Sequence, residues 1–240
     1  LGIESSCDDT SAALVEANTA PLRYASASSD NKSICETNII DFKILSEKTA
    51  SQIEVHKKYG GVVPEIAGRK HAENILPVIE EVLKHPSIQT FKHPNIDVIA
   101  VTSGPGLITG LLVGVEAAKS LSYLWNIPLV SVNHINGHIH SVLLNKNKSE
   151  ADQTAPPMRG SSPPAGGVRG LIEFPALCLI VSGGHTELIL MKSHSEFELI
   201  GKTRDDAVGE TFDKVAKLIG FDYPGGAKIS QTAEGGNVKA

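Results

Sequence analysis

The chain has 240 residues, of which 41% are hydrophobic and 20% charged, and its formal net charge is −5. That length allows one large or two small domains, and the composition is that of an ordinary globular protein without an apolar run near the ~18 residues of a membrane span. The negative charge gives no global positive surface for nucleic acid, so an RNA substrate would need a local patch or a partner.

The N-terminal part predicts a strand hairpin, a polar stretch and a helix. Residues 1–3 predict a strand, ESSCDDT a turn, and residues 12–15 the returning strand, after which no element is predicted up to about Ser51. The string VHKKYGGVVPE predicts a glycine loop ahead of a helix whose apolar face runs from Ile75 to Leu83. Pro77 interrupts that face, so we expect a kink or a restarted helix there.

Residues 96–132 predict a βαβ unit: the strand IDVIAVT, the turn SGPG, a helix over 107–125 and the strand IPLVSV. Residues 145–173 are rich in Pro, Gly, Ser and charge, which predicts a mobile loop. The string ALCLIVSGGHTELILM then predicts a β-hairpin. Residues 206–219 predict a helix with an apolar stripe (Thr211, Phe212, Val215, Ala216 and Ile219), stopped by a glycine, and residues 221–240 show no closing element.

Two strings could carry metal or phosphate chemistry, and each also has a purely structural interpretation. ESSCDDTSAA could offer backbone N–H groups to a phosphate and a carboxylate to a cation, or form a polar turn. NHINGH places His134 and His138 four residues apart. On a helix both imidazoles would share one face and could hold one metal ion, or they are two surface histidines. Ile135 stands where a zinc peptidase needs its general-base glutamate, which argues against that class.

Three further strings could contact a ligand. The glycine pair in VSGGHTEL lets a ligand approach the backbone closely, or forms a simple hairpin turn. DDAVGETFDK sets Asp206, Glu210 and Asp213 on one helical face, where carboxylates would accept hydrogen bonds from ribose hydroxyls or form a solvated acidic face. The YPGG turn at 223–226 could admit a ligand or be only a turn.

Taken in order, these strings resemble the TsaD family of tRNA threonylcarbamoyl transferases. The matching strings are LGIESSCDDTSAA, VHKKYGGVVPEIAGRKH, IAVTSGPGLITGLLVG, VNHINGH, VSGGHTEL and DDAVGETFDKVAKLIGFDYPGG. They run from Leu1 to Gly226 and are broken chiefly at 18–50 and 145–173. Six strings in one order are highly specific, and the form of the second resembles the bacterial or mitochondrial branch.

The resemblance implies a two-lobed actin/hexokinase-like (ASKHA) α/β fold whose C-terminal part is missing. The N-terminal lobe would span 1–130 and a partial second lobe 131–240, with 145–173 as a flexible insertion. The chain starts on Leu1, inside a strand pattern, which also predicts a fragment. The family's third metal ligand, an aspartate, would lie beyond residue 240, so we expect the chain alone not to catalyse.

The activity implied by the resemblance is transfer of a threonylcarbamoyl group from threonylcarbamoyl-AMP to the N6 amine of the adenosine adjacent to the tRNA anticodon. One divalent metal ion, iron or zinc, would be held by His134 and His138, and the nucleotide would be threonylcarbamoyl-AMP, with ATP as an alternative. Asp8 matches a cleft aspartate of the family and would be catalytic. The implied substrate-binding residues are Ile180, Val181, Ser182, Gly183, Gly184, Asp213 and Gly226.

The implied partners are tRNA, a TsaB-like subunit and a TsaE-like ATPase, without a membrane, in the bacterial cytoplasm or alternatively the mitochondrion. Two positions depart from the family: Ser5–Ser6 replaces Thr-Ser, and Asp9 replaces a glutamate. Three other functions stay open: an ATP-binding phosphotransferase or ATPase of the same superfamily, a metallopeptidase (disfavoured), and a non-catalytic scaffold.

Overall fold

The computed structural model describes residues 1–19, 39–88, 94–141, 173–234 and 236. The N-terminal part is built on a five-stranded sheet in the order β3-β2-β1-β4-β5. Its strands are β1 Gly2–Glu4, β2 Asp9–Thr19, β3 Ile39–Ser51, β4 Ile99–Gly104 and β5 Leu129–Asn133. β2 is antiparallel to both its neighbours, whereas β1, β4 and β5 run parallel. This mixed sheet, with helices packed against it, confirms the predicted α/β fold class.

Three helices accompany this sheet: α1 Ile53–Lys57, α2 Pro64–Leu83 and α3 Ile108–Trp125. α2 begins on a proline, whose missing N–H is harmless in the first turn. α3 joins β4 to β5, which confirms the predicted βαβ unit, and it ends at Asn126 in the left-handed region. The helices and the sheet enclose one apolar core, in which Val82 and Ile99 are fully buried.

Two expectations for this part change. α2 is one continuous helix with Pro77 inside it, so no helix restarts at that residue. β3 lies where no element was predicted, and it pairs with β2 from Asp9↔Ser51 to Thr19↔Ile39. Its apolar side chains from Phe42 to Leu45 are only half-buried. Backbone hydrogen bonds to β2, rather than a buried face, therefore define this edge strand.

The C-terminal part holds α4 His134–Ser141 and a three-stranded antiparallel sheet, β6-β7-β8. Its strands are β6 Ala176–Val181, β7 Thr186–Met191 and β8 Phe197–Lys202. The β6–β7 pair confirms the predicted hairpin. Ile135 and Ile139 of α4 pack against Ile189 and Met191, which forms a second, smaller core. The boundary predicted at residue 130 lies within β5, and residues 142–172, most of the predicted insertion, lie outside the described residues.

Two helices complete the described chain, α5 Val208–Leu218 and α6 Gly226–Ala233. α5 was predicted, and Gly220 follows it with a φ of 87°. α6 was not, because it is short and has no buried residue. Of the stripe predicted on α5, Ala216 is buried, but Phe212 is 45% exposed. Within the described ranges, none of the helices has the length and apolar character needed to cross a bilayer.

Candidate active-site cleft

One cavity of about 900 Å³ is lined by residues from every string singled out in the sequence. The lining residues come from the turn after β1, the glycine loop before α2, the turn before α3, the start of α4, the β6–β7 turn, and α5 with the turn that follows it. A second cavity of about 510 Å³, at the end of α3, contains none of the predicted site residues. The larger cavity is therefore the candidate site.

The strand directions explain this convergence. β1, β4 and β5 run parallel, so their carboxyl ends lie at the same edge of the sheet. In open α/β sheets ligands bind at that edge, outside the carboxyl ends of the strands. Ser6 after β1, Gly106 after β4 and His134 after β5 all line the cavity at that edge.

The histidine pair lies on the first two turns of α4. Asn133 caps this helix, since its Oδ1 accepts the backbone N–H groups of Ile135 at 2.9 Å and Asn136 at 3.2 Å. The helical spacing brings the Nε2 atoms of His134 and His138 to 3.0 Å from each other. Both imidazoles therefore share one face of the helix and line the cavity, as the spacing predicted.

Glu4, which the sequence analysis missed, holds His134 from the other side. Its Oε2 accepts from Thr102 Oγ1 at 2.6 Å and lies 3.1 Å from His134 Nδ1, while its Oε1 accepts the Ser6 N–H at 2.5 Å. Burial alone would raise the pKa of Glu4, but hydrogen bonds from His134, Ser6 and Thr102 outweigh burial and lower that pKa to about 2. An ionised carboxylate only accepts hydrogen bonds, so His134 Nδ1 carries a hydrogen and Nε2 is free to act as a ligand.

These donors fit a transition metal ion. Two imidazole nitrogens, one oriented by a carboxylate behind it, form part of the usual ligand set of zinc or iron. The ring of a third histidine, His185, has its centroid 6.3 Å from that of His134. Among the described residues, however, no three His, Cys, Asp or Glu side chains are placed to hold one ion. The described residues could therefore offer two imidazole ligands to a metal ion, and any further ligand would have to lie outside them.

The turn after β1 forms an acidic wall containing Asp8 and Asp9. The fully buried His71 fixes it, because its Nε2–H donates to the Cys7 carbonyl at 3.0 Å and its Nδ1 lies 2.8 Å from Thr10 Oγ1. Burial first, and then the neighbouring carboxylates with Asp8 foremost, together raise the pKa of the Cys7 thiol to about 12.

Tyr223 lines the cavity from the turn between α5 and α6. Burial, followed by the charges of Asp8 and Asp213, raises the pKa of its phenol to about 12. This hydroxyl therefore stays a hydrogen-bond donor at any physiological pH.

The β6–β7 turn forms the glycine wall. Ser182 N–H donates to the His185 carbonyl at 2.8 Å, and His185 N–H donates to Ser182 Oγ at 3.0 Å. A Cβ on Gly183 or Gly184 would meet nothing within 4 Å, so this backbone borders open space. Gly209, at the start of α5, lies so close to this turn that a Cβ added to it would be 2.8 Å from Gly183 N. The turn thus combines a fixed backbone with room for a ligand.

Comparison with known proteins identifies the family. The family model TsaD, described as tRNA N6-adenosine threonylcarbamoyltransferase, matches residues 43–158 and 165–240. The chain belongs to the TsaD family. The resemblance that the six strings indicated is thereby confirmed.

The TsaD relatives are bacterial. The chain is 46% identical to the tRNA N6-adenosine threonylcarbamoyltransferase of Listeria innocua over 98% of its own length, and 46% identical to that of Bacillus subtilis over 99%. It covers 54% of each, so it spans about half the length of the curated TsaD relatives it matches. Among solved structures, YeaZ from Pseudomonas aeruginosa aligns with a TM-score of 0.40 at 13% identity, over 84% of this chain and 64% of that chain. A likeness that weak carries no argument about the site.

In this TsaD chain the cavity lining includes most of the predicted site residues, but not all. Asp8, the glycine turn 182–184, Asp213 and the two histidines line it. Three others do not. Ile180 is partly buried against the smaller core, Val181 is 52% exposed on β6, and Gly226 begins α6.

The predicted helical face of Asp206, Glu210 and Asp213 is wrong in one position, because α5 begins at Val208 and Asp206 precedes it. These carboxylates are largely paired within the TsaD chain itself. Lys214 Nζ lies 2.6 Å from Asp206 Oδ2 and 3.0 Å from Glu210 Oε1. Asp213 Oδ1 accepts the backbone N–H groups of Gly225 at 2.7 Å and Gly226 at 3.3 Å, so it holds the turn that carries the tyrosine. The sequence analysis did not single out Lys214, although its spacing of four residues from Glu210 could have shown the pair.

Proposed function

We propose that the protein to which this chain belongs transfers a threonylcarbamoyl group from threonylcarbamoyl-AMP to the N6 amine of the adenosine adjacent to the tRNA anticodon. One observation carries this proposal: the family's strings, scattered from Glu4 to Tyr223, line a single cavity together with the histidine pair. The printed names of the curated relatives support the same reaction.

His134 and His138 would hold the metal ion, zinc or iron, with a third ligand from outside the described residues. When bound, the ion would act as a Lewis acid towards a carbonyl or phosphoryl oxygen. Glu4 keeps the hydrogen on His134 Nδ1, so that the opposite nitrogen stays directed at the ion. Thr102 and Ser6 fix Glu4 in turn, which makes the orientation of His134 independent of the ligand.

The remaining side chains would bind and orient the reactants. The backbone of Ser182, Gly183 and Gly184 would lie against the nucleotide, and Asp213 would accept from a ribose hydroxyl. Asp8 would be the acceptor that orients the attacking amine, a weak nucleophile for which positioning supplies much of the rate. Ile180, Val181 and Gly226 do not line the cavity, and they would act by holding the β6–β7 turn and the turn before α6 in place.

The proposed partners follow from the reaction and the family. A tRNA is the acceptor substrate, and a TsaB-like subunit and a TsaE-like ATPase would complete the system. The proposed location is the bacterial cytoplasm, with the mitochondrion as the alternative, and a tRNA substrate together with bacterial relatives supports it.

The test uses a protein whose chain is extended to the length of its Bacillus subtilis relative. Metal content, nucleotide binding and transfer of radiolabelled threonylcarbamoyl to tRNA are measured for wild type and for His134→Ala/His138→Ala. A double variant remote from the cavity, His85→Ala/His194→Ala, removes the same number of imidazoles. Loss of one bound metal ion and of transfer in the first variant alone supports the proposal. Equal metal content in all three proteins, without transfer, would show that the pair is structural.

A further inference from the structure

A short basic and aromatic segment, Lys57-Lys58-Tyr59, stands at the rim of the cavity. It begins at the last residue of α1 and immediately precedes Gly60 and Gly61, which line the cavity. All three side chains are exposed, and the Tyr59 side chain is 50% exposed. Lys58 Nζ lies 4.9 Å from the centroid of the Tyr59 ring. An exposed aromatic ring with an ammonium group over it is thus placed at the entrance to the site.

The backbone that carries this segment is anchored from below. His56 is fully buried, and because its Nδ1 accepts the Val63 N–H at 3.3 Å, its Nε2–H donates to Gln52 Oε1 at 3.1 Å. The Tyr59 N–H donates to the His56 carbonyl at 2.9 Å, and Gly60 adopts a φ of 70° to turn the chain. Such anchoring means that little conformational freedom is lost when Tyr59 contacts a ligand.

Lys57 and Lys58 differ in their ion pairing from most other cations of the described residues. Seven cations of the described residues form ion pairs with nearby carboxylates: Arg69, Lys70, Lys84, Lys119, Lys192, Lys214 and Lys228. Within the described ranges Lys57 and Lys58 have no such partner. Their charge is therefore available to an incoming anion, close to a cavity whose lining includes the carboxylates Asp8 and Asp9.

We infer that Lys57, Lys58 and Tyr59 form a contact surface for single-stranded RNA beside the acceptor adenosine. This inference rests on the proposed function, which requires a tRNA loop to reach the cavity. Tyr59 stacks on an unpaired base next to the acceptor nucleotide, and the two lysines contact the phosphates on either side. A protein with a net charge of −5 needs such a local patch, because its overall field repels RNA.

The experiment measures binding of a fluorescent anticodon stem–loop, by anisotropy over a series of salt concentrations, to the protein at the length of its relatives. Tyr59→Ala weakens binding about tenfold, since stacking on an aromatic ring is worth roughly one such factor per base, and Tyr59→Phe keeps the affinity. Lys57→Ala/Lys58→Ala lowers the slope of log affinity against log salt by about 1.4, because each phosphate contact on a single strand contributes about 0.7.

Matched controls lie elsewhere on the surface. Tyr123→Ala removes a tyrosine that is 92% exposed near the end of α3, and Lys84→Ala/Lys119→Ala removes the same charge as the rim variant. Both controls keep the wild-type affinity and salt slope. Equal losses in the rim and control variants, or an equal Tyr59 effect on a fully paired RNA duplex, would overturn the inference.

Measuring transfer in parallel separates the two proposals. If the wild type transfers the group and the rim variants bind the stem–loop as tightly as the wild type, the proposed RNA contact surface is overturned. The proposed transferase activity is then still supported. A wild-type protein that neither binds the stem–loop nor modifies tRNA overturns both.

Discussion

Cys7 occupies a setting in which a thiolate is strongly disfavoured. The thiol lies in the acidic wall of the cavity, where burial is the largest cause of a pKa raised to about 12 and the charges of Asp8, Asp9 and Glu4 follow. At pH 8 only about one such thiol in 10⁴ is ionised, and the thiolate is the reactive form. Cys7 is therefore a neutral wall residue rather than a nucleophile.

The Cys7 residue as a whole is exposed, but its thiol is partly enclosed by the cavity wall, so we predict that it is alkylated slowly. With iodoacetamide at pH 8, followed by peptide mass spectrometry, Cys7 should react far more slowly than a free cysteine in a model peptide. Asp8→Asn should accelerate the reaction several-fold, since it removes the nearest charge that raises the pKa, whereas Glu65→Gln on the surface of α2 should not. Labelling of the wild type at the rate of the model peptide would show that the thiol is not suppressed.

Sequence alone predicted the histidine pair but not the carboxylate that orients it. His134 and His138 are four residues apart, so a local helical period was enough to pair them. Glu4 meets His134 only because β1 and β5 lie on either side of β4 in a parallel arrangement. No local pattern encodes that contact, although a glutamate at the end of an apolar strand is an unusual residue to bury.

At the scale of elements, glycines let α3 lie very close to the turn after β1. A Cβ on Gly110 would clash with the Ser5 carbonyl oxygen and meet His71 Cδ2 at 2.9 Å. Ser5 is fully buried, and its hydroxyl donates to the Gly110 carbonyl at 3.0 Å. The same contact that packs the helix on the strand therefore also sets the position of the cavity wall.

We predict that Gly110→Ala lowers the free energy of unfolding by about 1–3 kcal/mol, because backbone atoms and a buried ring must shift to admit the methyl group. The measurement is urea denaturation followed by circular dichroism. Gly137→Ala on α4 is the matched control, since its Cβ would meet nothing within 4 Å and alanine favours a helix by up to about 1 kcal/mol. Equal stability of Gly110→Ala and wild type would mean that the packing is looser than described.

Elements with a strong local period were predicted, and those defined by pairing or capping were not. The βαβ unit, the β6–β7 hairpin, α2 and α5 follow from apolar spacing. β3 is recognisable only through its partner β2, and α6 is a helix of eight residues with no buried face. The apolar stripe on α5 shows a further limit. Its helical period correctly predicted the helix, but it did not predict how much of the stripe is buried.

For the whole molecule, the three-stranded sheet presents two apolar faces, of which one is covered. Cys178 and Ile180 of β6 pack towards α4, while Leu177 and Leu179 alternate with them and are 63% and 67% exposed. Val181, two residues further along the same face of β6, is also exposed, at 52%. An apolar face of this kind is a site of association for other apolar surfaces.

We predict that this face binds the dye 8-anilinonaphthalene-1-sulfonate in the folded chain. Leu177→Glu/Leu179→Glu should remove about half or more of the dye fluorescence without lowering the melting temperature, because both side chains are already in water. Leu76→Glu, at a leucine 57% exposed on α2, is the control and should change little. Unchanged fluorescence in the double variant would mean that the dye binds at a surface other than this face of the sheet.

The parallel edge that gathers the site has a consequence for how the protein is made. The histidine pair, and the Glu4 and Thr102 side chains that support it, are all synthesised once the ribosome has passed residue 138. The glycine wall at 182–184 is encoded more than forty codons later, a delay of about 2–10 s at ordinary rates of synthesis. The two imidazoles and the carboxylate that orients them are therefore synthesised before the turn that forms the glycine wall. If the histidine pair holds a metal ion as proposed, capture of that ion could precede completion of the cleft, and the order of translation would set the order in which the site is loaded and enclosed.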